Sequence, residues 1–227
     1  MASNFGKTIQ VSTFGASHGY AIGGIVEGLP CGHTIDIDEL QAFLKRRAPG
    51  QNQLQTQRKE ADIPEFLSGM VDGMLSGSPL AFMIRNTSQH SGDYNNLRDI
   101  PRPSHADFTA RMRYGNKVDM RGGGHFSARL TAPLCVAGGI ALQLLREKGI
   151  EIHGHLKQVG TIQDTPIDMV HPDMKALSEI ATEPIAMVDA DKRSEVENLV
   201  MKLKKDGDST GGIVEVVATG LPIGLGN

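Results

Sequence analysis

The sequence predicts an α+β protein in which helices pack with antiparallel sheets, on three observations. Stretches with strand character come partly in pairs joined by short turns instead of alternating strictly with helices. Two longer stretches, residues 131–148 and 191–205, carry helical patterning and terminators. With 227 residues the chain is long enough to bury a real core, and no repeat or coiled-coil period runs through it.

The elements follow in order. Residues 7–14 alternate in part and predict a strand, and a second strand over 22–29 follows the Gly15–Gly19 turn. Asp36 with Glu39 three positions on has the form of a capping box, and Leu40, Phe43 and Leu44 supply the apolar stripe of a helix that must stop near Pro49-Gly50. Residues 51–62 are polar and irregular. Residues 65–72 and 80–86 predict paired strands across Ser76-Gly77-Ser78-Pro79. From Thr87 to Gly124 the sequence is poor in strand signals, a length that in a compact domain usually serves function. The 131–148 segment is apolar all round, which predicts a buried helix ending at Gly149. A strand over 150–159, a short helix over 173–180, a helix over 191–205 closed by Gly207, and a strand over 213–219 complete the chain.

Composition excludes several classes. Cys31 and Cys135 stand far apart with no Cys-x-x-Cys, so neither a disulfide framework nor a zinc site is expected, and a reducing cytoplasm is the default compartment. The first residues lack the apolar core of a signal peptide, and no uninterrupted apolar stretch approaches the ~18 residues of a membrane span. The formal net charge is −3, yet bases crowd two islands. One holds Lys45, Arg46, Arg47, Arg58 and Lys59; the other runs from Arg98 to Arg129. Local basic islands in an acidic chain suit a small polyanionic ligand better than nucleic acid.

Chemistry concentrates in three turns. Arg121-Gly122-Gly123-Gly124-His125-Phe126-Ser127-Ala128-Arg129 removes three consecutive Cβ atoms ahead of a helix. Such a loop serves either as an anion cradle of backbone N–H groups or simply as a tight connection. It matches neither the P-loop nor the dinucleotide fingerprint. His18 lies in Gly15-Ala16-Ser17-His18-Gly19, His105 in Arg102-Pro103-Ser104-His105-Ala106-Asp107, and His125 in the glycine loop itself. An imidazole on a tight turn is placed to exchange protons near neutral pH, and it can equally be structural. His153 and His155 share a strand face but lack an evident third metal ligand, so no metal site is expected.

These turns, with Arg46-Arg47-Ala48-Pro49-Gly50, Gln57-Arg58-Lys59-Glu60, Ile84-Arg85-Asn86-Thr87 and Tyr114-Gly115, occur in an order that resembles the chorismate synthase family from residue 5 to the end of the chain. The resemblance implies a sandwich of helices and antiparallel sheets, of which residues 1–227 form the N-terminal portion of a single domain. It implies a homotetramer when full length, with no nucleic-acid or membrane partner. It also implies a 1,4-anti elimination of phosphate from 5-enolpyruvylshikimate-3-phosphate to give chorismate, with reduced FMN as cofactor and NADPH used by bifunctional members. By the same resemblance His18 and His105 are catalytic, Arg47, Arg129 and Ser17 bind substrate, and His125, Phe126 and Ser127 bind the flavin.

The chain departs from the family pattern at several points. Ala16 replaces a glutamate beside His18, Ser104 replaces a glycine beside His105, His125-Phe126 replaces Arg-Ser, and Gln53 stands where many members carry arginine. The chain is also shorter than the family's members and stops within a family motif. A shortened remnant that retains at most flavin or phosphorylated-ligand binding is therefore the alternative expectation.

Overall fold

The computed structural model of the protein describes residues 3–50, 60–87, 100–115 and 117–225, which form two compact units dividing at residues 143 and 144. Gln53 and most of the predicted irregular loop over 51–62 lie outside the described residues.

The first unit is built on a five-stranded antiparallel sheet. Its strands are β1 (Asn4–Gly6), β2 (Gln10–Gly15), β3 (Ala21–Glu27), β4 (Glu65–Ser68) and β7 (Leu80–Arg85), in the order β1-β2-β3-β7-β4. A two-stranded hairpin, β5 (Met70–Val71) with β6 (Met74–Leu75), stands between β4 and β7. The alternation in β7 puts Leu80, Phe82 and Ile84 in the core with Ile22 and Val26 of β3, as period-two patterning requires. Two expectations need correction here. The first thirty residues hold three strands where two were expected, because the chain turns at residues 7–9 and pairs Phe5 with Val11. The strand expected over 65–72 ends at Ser68, and residues 70–75 fold on themselves as the hairpin.

Two helices of this unit run antiparallel. In α1 (Ile37–Arg47), Asp36 caps the first turn by accepting from Glu39 N at 2.9 Å. The reciprocal bond of a capping box comes from elsewhere. Asp36 N donates to Gln143 Oε1 at 2.8 Å, and Gln143 Nε2 returns a bond to Asp36 O at 2.9 Å. Gln143 lies late in α3 (Thr131–Arg146), whereas Arg47 at the end of α1 donates to Thr131 Oγ1 at its start, 3.1 Å away. The helices are thus pinned at both ends. Between the pins a Cβ on Gly139 would fall 2.6 Å from Leu40 Cδ1, so the contact depends on a residue without a side chain.

The α3 helix is not buried all round. Ala132, Val136, Ile140 and Leu144 form a buried stripe at four-residue spacing, while Leu134 is exposed. The run from Arg121 to Arg146 is apolar and long enough to cross a membrane if counted as one helix. It is not one helix. Gly122, Gly123 and Gly124 have φ of 58°, 86° and 55°, and Ser127 is extended, which leaves the 16 residues of α3, about 24 Å. One helix was not foreseen, α2 (Asp107–Tyr114). Its N-cap residue, Ala106, offers no side-chain oxygen, so the usual sequence signal is missing.

The second unit carries a three-stranded antiparallel sheet of β8 (Glu151–Val159), β9 (Ile162–Gln163) and β10 (Gly212–Thr219), in the order β10-β8-β9, with α4 (Met174–Ile180) and α5 (Ala190–Asp206). Leu177, Ile180 and Val217 form one apolar cluster; Ile185, Met187 and Val196 form another. Both helices begin at an aspartate cap, Asp173 and Asp189, and α5 ends at a left-handed Gly207.

A charged cluster sits inside this unit. His155 Nδ1 lies 2.9 Å from Asp164 Oδ2 and its Nε2 lies 3.2 Å from Glu215 Oε2, with the ring closed off from solvent. Carboxylates only accept, so both contacts are hydrogen bonds when both ring nitrogens carry protons. Burial works to raise the Asp164 carboxyl, but the N–H groups of Asp189 and Val188 and the His155 ring hold it below the ordinary carboxylate range. Lys157 and then His155 do the same for Glu215. Groups with depressed folded pKa contribute stability above their unfolded value, near ~4, that is lost as pH falls through the folded value. Thermal melts from pH 6 to pH 3 should therefore show a falling midpoint. Asp164→Asn should start about 2 kcal/mol less stable at pH 6 and fall less over the same range.

Candidate functional site

A buried carboxylate organises the first unit. Asp62 adopts φ of 50°, a conformation that aspartate tolerates better than most residues, and its side chain is fully shielded. Arg47 Nη1 reaches Asp62 Oδ2 at 2.5 Å, and Arg129 Nη1 bonds to Oδ1 from the other side. Arg129 is 5 % exposed. Its Nη2 lies 3.9 Å from Glu60 Oε2, an ion-pair separation beyond hydrogen-bond reach. That same Glu60 oxygen accepts from Thr87 N at 3.1 Å and Thr87 Oγ1 at 2.8 Å. Two guanidinium groups thus meet two carboxylates, the pairing that buried charge requires. Arg47 and Arg129, both expected as substrate ligands, are brought together by Asp62. Arg47 keeps 21 % side-chain exposure, whereas Arg129 is closed off from solvent.

From Arg129 the contacts lead to His18. Arg129 Nε donates to Asn86 Oδ1 at 3.2 Å, and Asn86 Nδ2 donates to Ala16 O at 3.1 Å and Gly19 O at 2.8 Å. The Gly15–Gly19 turn also meets the glycine loop, where Ser17 N donates to Gly124 O at 3.0 Å. Ser17 and His18 are both buried. A Cβ on Gly122 would fall 2.0 Å from His18 Nδ1, and one on Gly124 would fall 1.8 Å from Asp119 O. Gly122 lets the imidazole lie against bare backbone, and Gly124 lets the loop close on Asp119. The loop does not open α3 directly either, since Ser127 and a 3-10 turn over Ala128–Leu130 intervene. At the neck of the loop Arg121 forms a two-point pair with Asp119, at 2.9 and 2.7 Å, which holds the Asp119 carboxyl below its usual range.

His125 ties the glycine loop to the end of β2 and to Ser3. Its Nδ1 donates to Gly15 O at 2.8 Å, which leaves Nε2 facing Ser3 Oγ at 2.5 Å. Ser3 is itself tied to β2 by the bond from Thr13 N to Ser3 O. Beside this anchor opens a cleft of about 470 Å³ whose walls include Ser3, Phe5, Tyr114, Phe126, Ser127 and Thr131. Phe126 is 41 % exposed, with its ring centroid 6.3 Å from that of Tyr114. The three residues expected to bind a cofactor, His125, Phe126 and Ser127, all line this cleft, and the His125 ring also anchors the loop.

His105 belongs to a different turn, at the entrance of α2. Arg102 Nε and Nη2 clasp Asp107 at 2.8 and 2.9 Å, and Arg102 N adds a third bond. That clasp holds the Asp107 carboxyl below its usual range, with burial opposing it. Inside it, His105 is exposed and its Nδ1 donates to Pro103 O at 2.9 Å. Ser104 takes φ of 60°, a left-handed conformation free of strain only for glycine, the family's residue at this position.

A family model described as chorismate synthase matches residues 9–227. The chain belongs to the chorismate synthase family. It is 43 % identical to the chorismate synthase of Lancefieldella parvula, an alignment covering all of this chain and 62 % of the relative. It is 44 % identical to that of Bacteroides thetaiotaomicron, with the same coverage. A solved structure described as a crystal structure of chorismate synthase superposes with a TM-score of 0.73 at 25 % identity, over 95 % of this chain and 59 % of that one. The fold of mixed helices and antiparallel sheets is therefore that of chorismate synthase, and the chain spans about three fifths of the length of the relatives it matches.

Sequence reasoning missed Asp62, Glu60, Asn86 and Ser3. A signal existed for the first two. Basic islands around Arg47 and Arg129 require counter-charges if either arginine is buried, and acids are scarce nearby. Removing Asp62 strands two arginines, so Asp62→Ala should cost about 3 kcal/mol or more in chemical denaturation. Gly122→Ala meets both a positive φ and the His18 ring, whereas Gly115→Ala meets only the positive φ of 79°, with open space around it. The first should destabilise the chain by about 1–3 kcal/mol more than the second.

Proposed function

We propose that this site performs the elimination named for its family, converting 5-enolpyruvylshikimate-3-phosphate to chorismate and phosphate with reduced FMN and no net redox change. The observation that carries the reading is the placement of His18. His18 is 8 % exposed, sits in the turn held by Asn86, and has its ring against Gly122 of the glycine loop. Its Nδ1 is buried against Gly122, and an imidazole held there can deliver a proton to a departing phosphate oxygen. Donating that proton neutralises the charge that develops as the phosphate leaves.

The cleft at His125 and Phe126 suits a flavin. Its volume lies within the few hundred Å³ usual for cofactor sites, and Phe126, Tyr114 and Phe5 offer flat apolar faces to a ring system. Phe126 and Ser127 would hold the cofactor, with His125 fixing the wall behind them. Reduced FMN when bound supplies an electron-rich ring next to the substrate. His105, with Nδ1 committed to Pro103 O, exchanges protons through its exposed Nε2. Arg47 is the partly exposed cation and is bonded to Thr131, which lines the cleft; it supplies positive charge on the substrate side. Arg129 and Ser17 act by placement. We read both units as parts of one domain, because a single family match runs through both.

The second reading, a binding-only remnant, is favoured by Ala16, a side chain without a carboxylate in the turn that bears His18. Anaerobic assay of phosphate release with substrate and reduced FMN separates the two. Turnover is expected, with His18→Ala and His105→Ala each lowering kcat by about 10²- to 10⁴-fold. Flavin binding without phosphate release would establish the remnant instead.

A further inference from the structure

The five residues of the Gly15–Gly19 turn do not by themselves hold His18 in place. Asn86, just past the end of β7, reaches across to them. Its two side-chain N–H bonds end on Ala16 O and Gly19 O, the carbonyls on either side of Ser17-His18, and its Oδ1 receives Arg129 Nε. Each partner has only one possible role, since carbonyls accept and a guanidinium donates. A flipped amide would set its oxygen against two carbonyl oxygens and its NH₂ group against a cation, so the orientation is fixed by chemistry. Asn86 is also 8 % exposed, which leaves little water to replace a lost bond. Its backbone N–H donates to Tyr20 O at 3.1 Å, anchoring the residue itself to the segment that leads into β3.

We propose that Asn86 is a positioning residue for His18, carrying the fixed geometry of the Arg129–Asp62 pair to the turn that presents the imidazole. The proposal rests on His18 acting as the acid in the elimination. No other side chain meets the same three partners. Aspartate has the shape but lacks both donors, alanine has neither donor nor acceptor, and glutamine is one methylene too long. The opposite side of the turn is held by the glycine loop through Ser17 N and Gly122. Asn86 therefore completes a clamp whose other jaw is backbone.

The test compares Asn86→Ala and Asn86→Asp with His18→Ala, singly and combined, using two readouts. The first is the proton-NMR titration of the His18 ring, assigned by its loss in His18→Ala. The second is the pH profile of kcat and KM for phosphate release. Both Asn86 variants should displace the His18 resonance and its titration midpoint. They should lower kcat by about 10- to 100-fold while KM changes by less than about threefold. Adding Asn86→Ala to His18→Ala should cost less than about threefold more, because the first change acts through the second residue. An unaltered His18 titration in both variants, or losses that multiply, would overturn the proposal. Should Asn86→Ala fail to fold, the isosteric aspartate carries the same comparison. If the parent chain releases no phosphate, the elimination reading falls, and the NMR titration alone decides whether Asn86 positions the ring.

Discussion

The burial of Asp62 between two arginines is the constraint on which the first unit depends. A carboxylate removed from water cannot stand without compensation, so Arg47 and Arg129 must be delivered to opposite oxygens. Delivering them brings the C-terminal end of α1 to the start of α3, and it sets Arg129 at the distance from which Asn86 can be reached. Stability alone does not account for such a cluster, since apolar side chains of similar volume often hold a core as well. An apolar cluster offers no directional N–H to orient an amide. That direction passes through Asn86 to the turn bearing His18.

Backbone does the complementary work. The three positive-φ glycines fold the 121–126 segment so that Gly122 lies against an imidazole face, and Gly124 O receives the N–H of Ser17. His125 then ties this loop to Gly15 O and to Ser3, joining the first described residue to a turn more than a hundred residues away. An arginine at 125, as in the more usual family pattern, has donors but no acceptor for a serine hydroxyl proton. The His-Phe variant therefore ties the loop to Gly15 O and Ser3 through an imidazole and adds an aromatic side chain to the cleft wall, a local solution to placing the loop.

Much of the fold was legible because its signals are local. Asp36 with Glu39, Gly207 after α5, and the alternation of Leu80, Phe82 and Ile84 each act within a few residues. The departures come where the deciding contact leaves no capping or periodic signal in the sequence. The α2 helix has no capping side chain and is steadied at its entrance by the Arg102–Asp107 clasp. The 131–148 segment looked buried on every side because composition cannot say which face finds a partner; the structure covers the stripe through Val136 and Ile140.

The sequence by itself determined the family, the fold class, the three turns that bear His18, His105 and His125, and the excess of positive charge around them. Those follow from residue types at fixed short spacing, which is what a linear chain records. Only the tertiary structure decided the use of each group. It showed that Arg129 faces a buried aspartate, that His125 is an anchor, and that Asn86 spans the His18 turn. These roles depend on contacts between residues 43 to 122 positions apart. Whether a charged or polar side chain meets a ligand or a counter-charge is settled by which of them loses its water on folding, and no local pattern encodes that loss.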